Sequence, residues 1–146
     1  MPLAVYREVV SEGNGRIGAE ETQGAVAEGW RVVQGLQEPA HARRMQQAFL
    51  LGDGESEALA LARQQPTDVL LLDEARAVRY AREMELPVLR TVGLLLRAKT
   101  QGHLALVQPA LDRLRIAGFR VSESVYQAAL RHASECHEEL ITMPSC

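Results

Sequence analysis

The feature that most constrains the fold is a short apolar run at residues 69–72 that ends in two carboxylates, Asp73 and Glu74. A proline and two polar residues precede the run, and a charged helical pattern follows it, so its length suits a buried strand better than a helix. In an open α/β sheet the carboxyl ends of the strands form the edge where ligands bind. The pattern therefore predicts that Asp73 lies at that edge.

A second strand is predicted at residues 86–89, after an amphipathic helix over residues 74–85 that places its arginines outside. Two strands joined by a helix form a right-handed βαβ unit with a parallel sheet. At the end of the first strand, Asp73 has two interpretations. It is either a catalytic carboxylate or the residue that caps the following helix, and spacing alone leaves both open.

Another helix, predicted over residues 55–65, ends before Pro66 and leads into the first strand through a short connection. Helix and strand should therefore run antiparallel, which places Glu57 at the same edge as Asp73. Two carboxylates at one edge are what a hard divalent cation requires. Alternatively, acids in a first helical turn complement the helix dipole, and we expect that role for Glu55.

The other segments predict mainly helices. Expected are the end of a helix at 4–10, a loop at 13–18, a solvent-facing helix at 19–28, an edge strand at 30–33, a helix at 40–51, a turn at 90–93, and helices at 94–100 and 104–118. A last helix is predicted to start after Ser122, its N-cap, and to run to residue 133. The glycines at 13–18 match a dinucleotide-binding spacing, but a helix rather than a strand leads into them, so we expect a surface loop.

Length and composition predict one domain at residues 1–135 and a C-terminal tail at residues 136–146. The net charge of −3 excludes a strongly basic nucleic-acid protein, but not a nuclease whose acids belong to a metal site. Two cysteines near the C-terminus make no disulfide framework, and neither a signal peptide nor a membrane span is recognisable. These features predict a cytoplasmic protein without a membrane partner.

Five separated segments resemble a known family when they are read together. They are residues 4–10, 54–62, 70–74, 91–95 and 117–122, in that order. Their combination resembles the PIN-domain nucleases, and within them the VapC-like branch called DUF3368. The resemblance implies a three-layer α/β/α PIN-like fold with a mostly parallel sheet, in which acidic residues hold Mg²⁺ or Mn²⁺ and RNA is cleaved.

The resemblance also assigns individual residues and partners. Glu8 resembles the family's second acid, Glu57 the third and Asp73 the last. A small antitoxin protein and a homodimeric assembly are the implied partners, besides RNA. Family members begin with a strand that supplies the first acid, whereas this sequence starts after it, so we expect an N-terminally incomplete domain. The alternative function is therefore a catalytically inactive PIN-like module for binding or assembly.

Overall fold

The computed structural model describes residues 1–13, 15, 16 and 18–135, and the predicted tail at 136–146 lies outside the described residues. The chain forms two compact units, Met1–Leu89 and Arg90–Cys146. Within the described ranges, no helix combines the length and the apolarity that crossing a bilayer requires.

The first unit contains five α-helices and a parallel pair of strands among its described residues. In chain order they are α1 Leu3–Tyr6, continued by a π-helical turn Arg7–Ser11, then α2 Ala19–Ala27, α3 Pro39–Phe49, α4 Asp53–Gln64, β1 Leu70–Leu71, α5 Ala75–Glu83 and β2 Val88–Leu89. We call residues 3–11, α1 with its π-helical turn, the N-terminal helix.

The two strands pair in parallel, with Leu70 opposite Val88 and Leu71 opposite Leu89. The Leu70 N–H donates to the Pro87 carbonyl at 2.7 Å, and the Leu72 N–H donates to the Leu89 carbonyl at 3.2 Å. Because α5 connects the strands, the predicted βαβ unit and the α/β class are confirmed. Each strand is shorter than the apolar run that predicted it.

The core of the first unit is rich in alanine, which lets its helices approach closely. Its buried members come from α3, α4, β1 with the residues beside it, and α5. They include Ala42, Met45, Leu59, Ala60, Ala62, Leu70, Leu72, Ala77, Val78 and Ala81. The predicted amphipathic character of α5 is thereby confirmed, since its apolar face is buried and its arginines are exposed.

The predicted edge strand at residues 30–33 is wrong. Trp30 and Val32 are 67% and 66% exposed, so their alternation faces no sheet. The Arg31 N–H donates to the Ala25 carbonyl, and the Met1 amino group donates to the Val32 carbonyl. These local bonds satisfy the backbone in place of a strand ladder, and the nearest pairing is an isolated bridge between Pro2 and Gln34.

The segment before and including α2 also differs in part from the prediction. The described residues between the N-terminal helix and α2 form turns and bends, as expected of a loop. Gly13 is buried in that loop, where a Cβ atom would overlap the Val9 carbonyl oxygen. The helix α2 does not face solvent on all sides, because Ala19, Thr22 and Ala25 are buried.

The second unit contains α6 Thr91–Thr100, α7 Gln108–Ile116 and α8 Glu123–His132. The predicted turn at 90–93 is wrong, since α6 already begins at Thr91. The two later helices are confirmed, and the Ser122 hydroxyl accepts the Val125 N–H as the N-cap of α8. The buried core of this unit consists of Val107, Leu111, Tyr126, Ala129, Leu130 and Ala133.

Candidate functional site

An open cleft of about 530 Å³ lies between the N-terminal helix and the start of α4. We call it the acidic cleft, because five carboxylates and one arginine line it. Its lining residues are Ala4, Arg7, Glu8, Glu12, Gly52, Asp53, Gly54, Glu55 and Glu57. The cleft therefore unites two of the three predicted site residues, Glu8 and Glu57, although they are far apart in the sequence.

Glu57 is fixed in the cleft by a backbone hydrogen bond. Its Oε2 atom accepts the Ala4 N–H at 2.8 Å. Ala4 belongs to the first turn of α1, where N–H groups have no partner inside the helix and where a negative charge is favourable. The Glu57 carboxylate therefore also holds the N-terminal helix onto α4.

Glu8 reaches the same cleft because Gly54 has no side chain. A Cβ atom built on Gly54 would lie 3.2 Å from Glu8 Oε2 and 3.3 Å from Val5 Cγ2. These distances are shorter than ordinary van der Waals contacts, so the helix carrying Val5 and Glu8 packs closely over the start of α4. The backbone at Gly54 thus sets the position of Glu8.

The start of α4 brings two further acids, Asp53 and Glu55, into the cleft. The helix begins after Gly52, whose carbonyl accepts the Ser56 N–H at 3.1 Å. The Glu55 carboxylate folds back so far that a Cβ atom on Gly52 would overlap it. Sequence reasoning assigned Glu55 to the helix dipole, yet both acids line the cleft.

Glu12 is a lining residue that sequence reasoning did not single out. Its N–H donates to the Arg7 carbonyl at 2.8 Å, which is the bond that closes the π-helical turn. The spacing of Glu8 and Glu12 is a signal that was present in the sequence, because residues four apart face the same side of a helix.

Asp73 lies two residues after the end of β1 and is half-buried. It is not among the described residues that line the acidic cleft. Asp73 and Glu57, which were predicted to lie together, therefore do not both line this cleft. The capping alternative for Asp73 is wrong, because Glu74 is the N-cap of α5 and accepts the Ala77 N–H at 2.8 Å.

The acidic cleft fits a divalent cation only in part. Among the residues that the structure describes, no three His, Cys, Asp or Glu side chains form a group placed to hold a metal ion. Carboxylate oxygens are nevertheless the ligands that Mg²⁺ prefers, and one or two carboxylates often bind it together with water and substrate phosphates. Glu8 and Glu57 are two carboxylates that line one cleft.

Replacing Gly54 by alanine tests the close approach that positions Glu8. We expect Gly54→Ala to stabilise the protein less than Gly24→Ala does, because the new methyl group crowds Val5 and Glu8. Gly24 lies inside α2, and outside its own stretch of helix no described atom comes within 4 Å of a built Cβ, so alanine there should gain the usual helix-propensity term of about 0.5–1 kcal/mol. Urea denaturation measures both variants, and equal gains would contradict the close approach.

Comparison with known proteins gives one family. The family model described as DUF3368, PIN domain, matches residues 1–135. No curated protein and no solved structure matches the chain. PIN domains have a nuclease-like fold and generally depend on divalent metal ions, and the family points to nucleic-acid binding. Because the match extends over most of its 146 residues, the chain belongs to the DUF3368 family of PIN domains.

Proposed function

We propose that this protein is a metal-dependent endoribonuclease of the VapC-like toxin type that hydrolyses RNA phosphodiesters with Mg²⁺ or Mn²⁺. The observation that carries the proposal is the acidic cleft, in which Glu8 and Glu57 lie together in a chain of the PIN-domain family. Carboxylates are poor catalysts of phosphodiester hydrolysis on their own. Their use in such a cleft is to bind a cation.

Glu8 and Glu57 are the residues that bind the cation in this proposal. The Ala4 N–H occupies one position on Glu57 Oε2, but an ionised carboxylate has about four acceptor positions, so Glu57 can serve the helix and a cation together. When bound, the cation activates a water molecule as the nucleophile and neutralises the leaving oxyanion. Asp73 is the third acid of the proposed set, by resemblance to the family.

The charge of the cleft predicts that the cation controls access of RNA. Five carboxylates and a single arginine, Arg7, repel a phosphodiester at short range. Only a bound divalent cation makes this surface attractive to phosphate. Binding of RNA in the acidic cleft should therefore depend on Mg²⁺ or Mn²⁺, and chelation should remove both binding there and cleavage.

The test is cleavage of a fluorescently labelled single-stranded RNA by the purified chain. We expect cleavage with Mn²⁺, none with EDTA, and loss of cleavage in both Glu8→Gln and Asp73→Asn. Glu20→Gln is the matched control, since Glu20 is an exposed acid of α2 that does not line the cleft. Cleavage that survives Glu8→Gln, or that Glu20→Gln reduces equally, would exclude the acidic cleft as the active site.

The proposal extends to the assembly of the protein. We propose that residues 1–135 act as one domain, that the toxin forms a homodimer and pairs with a small antitoxin protein, and that it works in the cytoplasm. The resemblance to VapC-like proteins supports these points. Light scattering after size exclusion measures the mass of the chain, and a monomer at all concentrations would exclude the homodimer.

A specific observation favours a second function, that of a catalytically inactive PIN-like module for binding or assembly. Glu57 has a structural task at Ala4, and Asp73 is not among the described residues that line the cleft. Both facts are expected of a protein in which the acidic residues of the family stabilise the fold and do not bind a metal ion. RNA binding without cleavage at any Mn²⁺ concentration would favour this function over the nuclease.

A further inference from the structure

A second concave surface in the first unit carries the opposite charge. It is a pocket of about 230 Å³ between the end of α3 and the exposed face of α5, and we call it the arginine pocket. Its lining residues are Ala48, Phe49, Leu50, Arg76, Arg79, Tyr80 and Glu83. Nothing in the proposed chemistry of the acidic cleft uses these residues.

The guanidinium of Arg79 is available to a ligand. Its contact with Glu83 is 3.8 Å long, and the two side chains are 77% and 62% exposed, so solvent screens the pair. Arg82 is also exposed and lies one turn further along the same face of α5. Arginine binds phosphate through two parallel hydrogen bonds, which makes this face suitable for a phosphodiester.

Arg76 and two aromatic rings form the wall of the pocket. The Arg76 Nη1 atom donates to the Leu50 carbonyl at 3.4 Å, at the end of α3. The rings of Phe49 and Tyr80 have centroids 4.0 Å apart and are tilted by 39°. Arginine planes and aromatic rings are the groups on which bases of single-stranded nucleic acids stack.

The arginine pocket adjoins the acidic cleft through the chain itself. Leu50 lines the pocket, and Gly52 lines the cleft. Two peptide bonds separate these residues, so their Cα atoms are at most about 7.6 Å apart. The linings of the two concave surfaces therefore come within a few ångströms of each other at residues 50–52.

This adjacency answers a physical difficulty of the proposed nuclease. Without a bound divalent cation, RNA is repelled by a cleft with five carboxylates, so its affinity under those conditions must come from positive charges elsewhere on the protein. We propose that the arginine pocket binds the backbone of single-stranded RNA through Arg76 and Arg79, next to the acidic cleft. The inference rests on the proposed function for the choice of RNA as the ligand.

The test is binding of a labelled single-stranded RNA to the full chain in EDTA, followed by fluorescence anisotropy at several salt concentrations. We expect Arg79→Gln to weaken binding about fivefold and to lower the slope of log K against log salt by about 0.7, the value for one lost phosphate contact on a single strand. Arg76→Gln should weaken binding in the same direction.

Two further variants make the test specific. Glu83→Gln should strengthen RNA binding. It removes a negative charge that lines the pocket and that competes with RNA phosphate for the Arg79 guanidinium. Arg63→Gln is the matched control, since Arg63 is an exposed arginine at the opposite end of α4 from the cleft and does not line the arginine pocket. It should leave the affinity within about twofold of the wild type, the size of a screened long-range effect.

The outcomes separate this inference from the nuclease proposal. RNA binding in EDTA that Arg79→Gln weakens supports the pocket, even if no cleavage is found with Mn²⁺. No RNA binding, or equal losses in Arg79→Gln and Arg63→Gln, would overturn the inference even if cleavage occurs. An acidic peptide that binds through Arg79 while RNA does not would show that the pocket recognises a protein instead.

Discussion

Replacing Glu57 by glutamine should reduce Mn²⁺-dependent RNA cleavage by at least about 100-fold, the scale of losing part of the charge stabilisation that a bound metal supplies. The variant should remain folded. The amide oxygen of glutamine can accept the Ala4 N–H as the carboxylate Oε2 atom does at 2.8 Å. The substitution therefore removes the charge that binds a cation but keeps the contact that holds the N-terminal helix.

Glu57→Ala separates these two roles. It removes the charge and the acceptor together, and the partly buried Ala4 N–H loses its partner. We expect the free energy of unfolding to fall by about 1–2 kcal/mol in Glu57→Ala and to change little in Glu57→Gln. Urea denaturation gives the stability, and RNA cleavage gives the activity of the same preparations.

Each of the two roles of Glu57 can be contradicted by one result with these variants. A Glu57→Gln protein that cleaves RNA like the wild type would remove Glu57 from the metal site. A Glu57→Gln protein that is as unstable as Glu57→Ala would mean that the helix needs the charge, not only an acceptor. In that case the contact depends on the attraction between the Glu57 charge and the helix dipole at Ala4.

Local sequence patterns predicted the elements of the fold that depend on neighbouring residues. The apolar run ending in Asp73, the buried face of α5 and the Ser122 cap of α8 are all present. Each of them is determined within a few residues by side-chain periodicity or by one hydrogen bond. The predicted strand at 30–33 has the same alternation but no sheet beside it, so the pattern alone was insufficient.

The site was less predictable, because it depends on a contact between residues 53 positions apart. No spacing rule connects the Ala4 N–H with the Glu57 carboxylate, and the family resemblance alone pointed to Glu8. The close approach at Gly54 is likewise visible only once the helices are packed. Sequence reasoning placed the arginines of α5 outside the core correctly but did not reveal the pocket they line with Phe49 and Tyr80.

The second large effect is expected at Glu135, beyond which the sequence had predicted only a tail. The Glu135 side chain is 6% exposed and accepts three hydrogen bonds. Its Oε1 atom accepts the Lys99 ammonium at 2.6 Å and the Val107 N–H at 2.7 Å, and its Oε2 atom accepts the Gln108 N–H at 2.8 Å. The carboxylate thereby caps the start of α7 and binds the only lysine of the chain.

Glu135→Gln should lower the free energy of unfolding by about 2 kcal/mol, because the neutral amide offers one oxygen to three donors and leaves part of them unsatisfied. For a chain of this size the melting temperature should fall by about 5 °C. Glu123→Gln is the matched control. Glu123 also binds a cation, Arg115, at 2.7 Å, but the Glu123 side chain is 63% exposed against 6% for Glu135, so its loss should matter much less.

Acidic pH should remove the contribution of Glu135 to the free energy of unfolding. Burial alone raises the pKa of its carboxyl group, but the hydrogen bonds from Lys99, Val107 and Gln108 outweigh burial and hold the pKa below the ordinary value of 4.5. A carboxyl group with a lowered folded pKa stabilises the protein fully above its unfolded pKa, and this contribution is lost as the pH falls through the folded value. The stability difference between wild type and Glu135→Gln should therefore be constant near neutral pH and shrink below pH 4.5. Urea denaturation from pH 7 downwards measures this difference, and a gap that stays constant in acid would mean that the Glu135 charge does not stabilise the second unit.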